Sequence, residues 1–387
     1  MKNCVLWVGN GFTISLTKHL QGATRPIDLF SLFPPPEWTC ELRSWDKSQS
    51  EETLLKLMGK GLFGELQDAI KNVGGASSGT GGFADLCVRL GAYTPLTNHI
   101  GPADANIEQM LSADFPETTF EKQDFLSSEG APKNNSANSV SFQSSDVWLQ
   151  LRQYIWQLIR NYDREINCCA VNGIQEWPWL EIMYTLVANY RVSAVSYNYD
   201  VQLEKCFGDL GVAAGTRPGA LSHIYDQRDR RSVPTMKPHG SSSFSQGVTV
   251  VGNVNIKVRN GSFDDLYCNP DLVACPLVPF IVPPGYPRDP HFDALNPTRE
   301  VIHRALSECD VLVVCGYSAS GPDHDEFKEY LTSLRGSALV MHAGAGGDEQ
   351  NNAARSLQGV VGKYNYHFYD PSSLNELKKH VSLVGQL

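Results

Sequence analysis

Four short stretches of the chain are apolar at almost every position, and each runs into small or polar residues. Cys4–Val8 leads into Gly9-Asn10-Gly11, Val311–Cys315 into Gly316, and Ala338–Met341 into His342-Ala343-Gly344, with Val192–Ser196 a weaker case. A strand with one wet face alternates apolar and polar residues. A strand covered on both faces does not, so unbroken runs predict the interior of a parallel sheet. Elsewhere the apolar residues recur at steps of three and four, over Thr298–Glu308, Pro322–Leu334 and Leu374–Val384. That spacing is the stripe of a helix lying on a core. Strands alternating with helices predict an α/β fold, a doubly wound parallel Rossmann-like sheet with a helical insertion or second, smaller domain.

The middle of the chain has a different texture. From about Ser50 to Tyr190 helix-like stretches dominate, notably Glu52–Met58 and Val147–Tyr162. Gly74–Gly82 and Ser127–Ser145 interrupt them; the second is rich in Ser, Asn and Gly and reads as a mobile loop. The expected organisation is a sheet domain from residues 1–49 and 191–387 and a helical insertion over 50–190. Within the later part, Val248–Val251 and Val254–Val258 flank Gly252-Asn253 and predict a hairpin. Pro279–Pro287 reads as a rigid loop, because its prolines lack amide donors.

Composition narrows the function classes. Of 387 residues, 42% are hydrophobic and 19% charged, an ordinary globular balance. The formal net charge of −10 argues against broad nucleic-acid binding, which needs many cations to displace counterions. Arg228, Arg230 and Arg231 form the one dense basic cluster and read as a solvated loop. None of the ten cysteines sits in a C-x-x-C pair, the spacing a four-thiolate zinc site normally shows, so no zinc is expected. The apolar run Val5–Val8 stops at Gly9, and no stretch has the length a bilayer requires. The expected setting is the reducing cytoplasm, with thiols free and no membrane contact.

The candidate chemistry lies at the ends of the apolar runs, where open α/β sheets bind ligands. Gly9-Asn10-Gly11-Phe12-Thr13 separates a predicted strand from a predicted helix, Ile14–Leu20. Glycines there would admit a phosphate to the backbone and the helix N-terminus. Many strand-to-helix turns also carry two glycines for purely steric reasons. Asn198-Tyr199-Asp200 follows Val192–Ser196; both side chains could face a crevice, or one could cap the helix predicted over Val201–Phe207. Lys237-Pro238-His239-Gly240-Ser241 places a histidine on a turn, either structural or set beside a ligand. Gly316-Tyr317-Ser318 ends another buried strand.

In this order the motifs resemble those of the sirtuin family, and in particular the zinc-less, sirtuin-like NAD hydrolases of bacterial anti-phage defence. The resemblance covers the first 20 residues and about Val192 to His342. It implies that Gly9, Asn10, Gly11 and Thr13 hold the pyrophosphate of NAD. It implies that Asn198 orients water or ribose at the scissile bond, with Asp200 near the nicotinamide or its ribose. His239 would be the general base, and Gly316 and Ser318 would hold the adenosine half. The chain departs from the family in three places. It lacks the C-x-x-C pairs of the protein deacylases, it has His342 where an Asn often stands, and it has Asn10 where Ala is usual.

The resemblance thus implies an NAD+ hydrolase releasing nicotinamide and ADP-ribose, with NAD as substrate. Depletion of NAD would harm the host, so a gated, homo-oligomeric resting form is expected. Its activator would be a separate protein such as a HerA-like ATPase, a short Argonaute or a nucleotide-processing subunit. Two other readings share these motifs: a non-catalytic sensor of NAD or ADP-ribose derivatives, and an NAD-dependent deacylase or ADP-ribosyltransferase.

Overall fold

The computed structural model describes residues 1–20, 118–121, 139–142, 159, 163, 166, 174–216, 220–228, 231–251, 255–265, 279–281, 295–317, 323–344 and 352–386. The chain divides into two compact units. The first is Met1–Leu29, Tyr162–Ser241 and Leu295–Leu387, and the second is Phe30–Asn161 and Ser242–Ala294.

The first unit is built on seven strands. β1 (Asn3–Val8), β4 (Arg191–Ser196), β5 (Ala213–Gly215), β6 (Ser232–Met236), β10 (Val311–Cys315), β11 (Leu339–Ala343) and β12 (Tyr366–Tyr369) pair in the order β12-β11-β10-β1-β4-β6-β5. Every pairing is parallel. β1 is the middle strand, with Cys4–Val8 matched to Val311–Cys315 on one side and Asn3–Val8 to Arg191–Ser196 on the other. All five residues of β10 are buried, as are the last five of β1. This is the burial that the unbroken apolar runs predict, because helices cover both faces.

Eight helices belong to this unit among the described residues: α1 (Asn10–His19), α2 (Pro178–Asn189), α3 (Gln202–Asp209), α4 (Leu221–Asp226), α5 (Asn296–Ser307), α6 (Asp323–Leu331), α7 (Asn352–Val361) and α8 (Leu374–Gln386). On one face of the sheet Val5, Trp7, Val195, Met236 and Val314 pack with Val301 and Ile302 of α5 and with Phe327 and Tyr330 of α6. α2 lies against α8 and β4, burying Ile182, Met183 and Leu186. The boundaries expected at 49 and 191 therefore shift. Residues 30–49 and Ser242–Ala294 fall in the second unit, and Tyr162–Tyr190 joins the sheet unit, because helical periodicity cannot distinguish a helix that covers the sheet from one in an insertion.

The second unit contains a hairpin of β7 (Gly240–Val251, which enters this unit at Ser242) with β8 (Asn255–Asp265), in antiparallel register with Val248 opposite Val258. That is the hairpin expected around Gly252-Asn253. β9 (Pro279–Ile281) joins at the β7 edge, so the first three residues of the expected proline loop are strand. An edge strand tolerates a proline because one row of its donors needs no partner. The expected mobile loop over Ser127–Ser145 also contains a strand, β3 (Ser139–Phe142), paired antiparallel with β2 (Thr118–Glu121). The expected helix Glu52–Met58 and the Gly74–Gly82 loop lie outside the described residues. No helix among the described residues is long and apolar enough to cross a membrane.

Candidate functional site

Strand order places the four motifs beside one another. The turns after β1, β4, β6 and β10 all leave the carboxyl edge of the sheet, and in the sheet these strands are consecutive: β10-β1-β4-β6. After β1 the chain moves to β4 on one side, whereas after β10 it moves to β11 on the other. That divergence is the topological switch point at which open α/β sheets form their crevice.

At the switch point the two glycine turns interlock. The Gly9 amide donates to the Cys315 carbonyl at 2.9 Å and the Gly11 amide to the Gly316 carbonyl at 2.9 Å. A Cβ on Gly11 would lie 2.6 Å from the Gly316 Cα, and one on Gly316 would lie 2.4 Å from the Gly11 Cα. Gly316 also has φ of 58°, which disfavours any side chain. Helix α1 starts at Asn10, four residues before the position expected from the pattern, with Gly9 as an extended N-cap. The Phe12 amide donates back to the Gly9 carbonyl at 3.0 Å. The amides of Gly9, Gly11 and Phe12 thus donate to protein carbonyls. Close packing of two backbones accounts for the glycines. For Asn10 the structure shows a position at the first turn of α1. Ser318 lies outside the described residues.

Asn198, Thr13 and Asp200 form one buried chain of hydrogen bonds. Asn198 Nδ2 donates to the Gly9 carbonyl at 3.1 Å and to Thr13 Oγ1 at 2.9 Å. Thr13 Oγ1 in turn donates to Asp200 Oδ2 at 2.8 Å. A carbonyl only accepts, so the Gly9 contact fixes which way the amide points. The other amide atom, Asn198 Oδ1, is buried with no hydrogen-bond partner among the described residues, and the residue is 3% exposed. An orphaned buried acceptor costs about 1–3 kcal/mol, so a donor from a ligand or a water is its natural complement. Thr13 is the middle link of this chain.

Asp200 also has a local role, since its Oδ1 accepts the Gln202 amide at 3.0 Å at the start of α3. Burial, with the neighbouring Asp163 carboxylate, pushes its carboxyl up to about 7, against the lowering pull of Lys237 and of the bonds from Gln202 and Thr13. Lys237 is fully buried beneath it. Its Nζ pairs with Glu204 Oε1 at 2.8 Å and donates to the Asp200 carbonyl. Asp163 Oδ1 accepts from Gln202 Nε2 at 2.6 Å.

His239 forms a second cluster on the same edge. Its Nε2 lies 2.6 Å from Glu326 Oε2 of α6, and its ring lies 4.9 Å from the ring of Tyr197, the residue before Asn198. Tyr197 stacks on Trp7 at 5.4 Å and meets Tyr317 at 4.9 Å. Trp7 of β1, Tyr197 after β4 and Tyr317 after β10 thus form one aromatic cluster, with the His239 ring against Tyr197. The glutamate is itself held: Tyr330 Oη donates to Oε1 at 3.2 Å, and Arg299 Nε lies 3.9 Å from the same oxygen. Burial would raise the Glu326 carboxyl, but His239, Arg299 and Tyr330 together hold it below its ordinary value. The backbone keeps the histidine on a tight turn, with Gly240 at φ of 80° and its amide donating to the Lys237 carbonyl at 3.1 Å.

The structure therefore gathers Thr13, Asn198 and Asp200 in one cluster and His239 in another, adjoining at Tyr197. Asn198 reaches toward α1 and His239 toward α6. His342 is a core histidine within β11: Nε2 faces the Tyr317 carbonyl at 3.1 Å and Nδ1 faces Tyr366 Oη at 2.9 Å. Arg228, expected on a solvated loop, instead lies 3.6 Å over the Tyr225 ring and pairs with Glu308 at 3.1 Å. Glu326, Asp163 and Glu204 escaped the sequence reading. The α6 sequence offers Asp323, Asp325, Glu326 and Glu329 in one short run, and nothing in it singles out the one that meets His239. A scan against protein-family models finds no match for the chain, and a search of curated proteins finds none.

Proposed function

We propose that the chain is an NAD+ hydrolase that cleaves the nicotinamide–ribose bond at the carboxyl edge of its sheet. One observation carries this reading: four motifs scattered over more than 300 residues of sequence fall at the ends of four adjacent strands, β10-β1-β4-β6, around the switch point. The sirtuin-like order of those motifs supplies the substrate class.

The chemistry asks little of the protein. In NAD the ring nitrogen of nicotinamide is cationic, so it leaves without protonation, taking the electron pair of the C1′–N bond and becoming neutral. The ribose passes through an oxocarbenium-like state, as in glycoside hydrolysis. Water then forms the new C1′–O bond and loses a proton, giving ADP-ribose. His239 is the base that accepts this proton. Asn198, with its Nδ2 tied to Gly9 and Thr13, turns Oδ1 toward a donor on the ribose or the attacking water. Asp200 keeps Thr13, and through it Asn198, in place. Depletion of NAD is harmful to a cell, so the resting form is a weakly active homo-oligomer in the cytoplasm, switched on by a separate partner protein in anti-phage defence.

The test is nicotinamide release by the purified chain, alone and with proteins encoded beside it. Asn198→Ala and His239→Ala should each lower turnover by at least about 10²-fold, the low end for loss of a general base. Undiminished release in both variants would remove these residues from the mechanism.

A further inference from the structure

We infer that Glu326 is the positioning residue for His239, a carboxylate that fixes the imidazole tautomer and strengthens it as a base. The inference rests on the hydrolase reading for the reaction, but its physical core is the His239–Glu326 contact. The pair sits on the α6 side of the sheet edge, with side chains 5% and 18% exposed and Nε2 to Oε2 at 2.6 Å. An ionised carboxylate only accepts, so the proton on a neutral His239 resides on Nε2, and Nδ1 carries the lone pair. When Nδ1 takes a proton from water, the imidazolium forms beside a negative charge already in place. This is the arrangement by which a carboxylate orients and stabilises a catalytic histidine in hydrolases of unrelated fold.

The surroundings suit a permanent charge on Glu326. Tyr330 Oη of the same helix donates to Oε1, and Arg299 of α5 stands 3.9 Å from that oxygen. Tyr197, the residue after β4, presents its neutral ring to the histidine at 4.9 Å. Arg299 opposes protonation of His239, but it acts from the far oxygen of the glutamate, whereas the carboxylate acts in contact. The carboxylate therefore dominates, and an opposite charge at this range stabilises the charged form of a titrating group by one to three pH units in general. A glutamate placed only to stabilise the fold would account for the contact equally, so the test must read the histidine itself.

Glu326→Gln keeps the shape and the hydrogen-bonding capacity and removes the charge. In the full-length protein with imidazole-labelled histidine, the His239 resonance, assigned by its loss in His239→Ala, is titrated by NMR in wild type and in Glu326→Gln. The expected result is a fall in the His239 pKa of at least about one pH unit. The acidic limb of the kcat profile for nicotinamide release should move down with it, with kcat lowered at least about tenfold and KM little changed. Glu326→Asp should restore part of both effects. An unmoved His239 titration and an unmoved acidic limb, with release intact, would overturn the role of Glu326 and leave the hydrolase reading standing. A shifted titration in a protein that releases no nicotinamide under any condition would sustain the pairing and overturn the hydrolase reading alone.

Discussion

The fold opposes the ionisation of Asp200. Burial and Asp163 raise its carboxyl to about 7, while an unfolded aspartate titrates near ~3.9. Between those values the folded chain keeps a proton that the unfolded chain has released. The stability contributed by this group is therefore complete below about pH 4 and is lost as pH rises toward neutrality. Asp200→Asn should flatten that decline, so that the urea midpoint falls less between pH 5 and pH 8 than in wild type. The same corner holds the buried pair Lys237–Glu204 at 2.8 Å. Lys237→Met would leave the Glu204 carboxylate inside the protein without its cation, at a cost of about 3–5 kcal/mol. Equilibrium urea unfolding measures this directly, and Lys237→Met combined with Glu204→Gln should recover a large part of it. Equal losses in the single and double variants would show that the pair contributes nothing as a pair.

At the scale of elements, the joint between the β1–α1 turn and the end of β10 is the tightest backbone contact on the sheet edge. Gly11→Ala must displace the Gly316 backbone by several tenths of an ångström or more, and overpacking of this kind costs about 1–3 kcal/mol. Gly316→Ala adds the penalty of a left-handed backbone, about 1–2 kcal/mol more. Both should lower the thermal midpoint, Gly316→Ala further, and a wild-type midpoint in either would refute the interlock. The elements that were legible in sequence share one physical cause. β1 and β10 are buried on both faces, so nearly every residue had to be apolar. β5 reads Ala-Ala-Gly at the edge of the sheet, and β6 reads Ser-Val-Pro-Thr-Met. Their identity as strands comes from pairing with β4 and with each other, which no local pattern encodes. α1 starts before its apolar pattern for a related reason: the Gly11 amide finds its acceptor at Gly316, in the turn after β10 some 300 residues away.

For the whole molecule, sequence order and spatial order differ, and that difference bounds what could be read beforehand. Alternating apolar runs and helical stripes were enough to give the doubly wound class. They could not say that β4 and β10 flank β1, and so could not say that Asn198, Gly316 and the first turn share one edge. The side chains that most constrain the proposed chemistry come from places without a motif. Glu326 lies on an acid-rich helix and Asp163 precedes the second strand of the sheet, and each is recognised only by what it touches. His342, a departure from the family pattern in sequence, lies within β11 with its ring nitrogens facing Tyr366 Oη and the Tyr317 carbonyl.

The central place of β1 has a consequence for how the protein is made. Its two neighbours are Arg191–Ser196 and Val311–Cys315. At bacterial or eukaryotic rates of translation the ribosome needs roughly 15 to 60 s to cover the roughly 300 residues that separate β1 from β10. β4 emerges well before β10, so through the last part of that interval one side of β1 waits unpaired and the carboxyl edge of the sheet is incomplete.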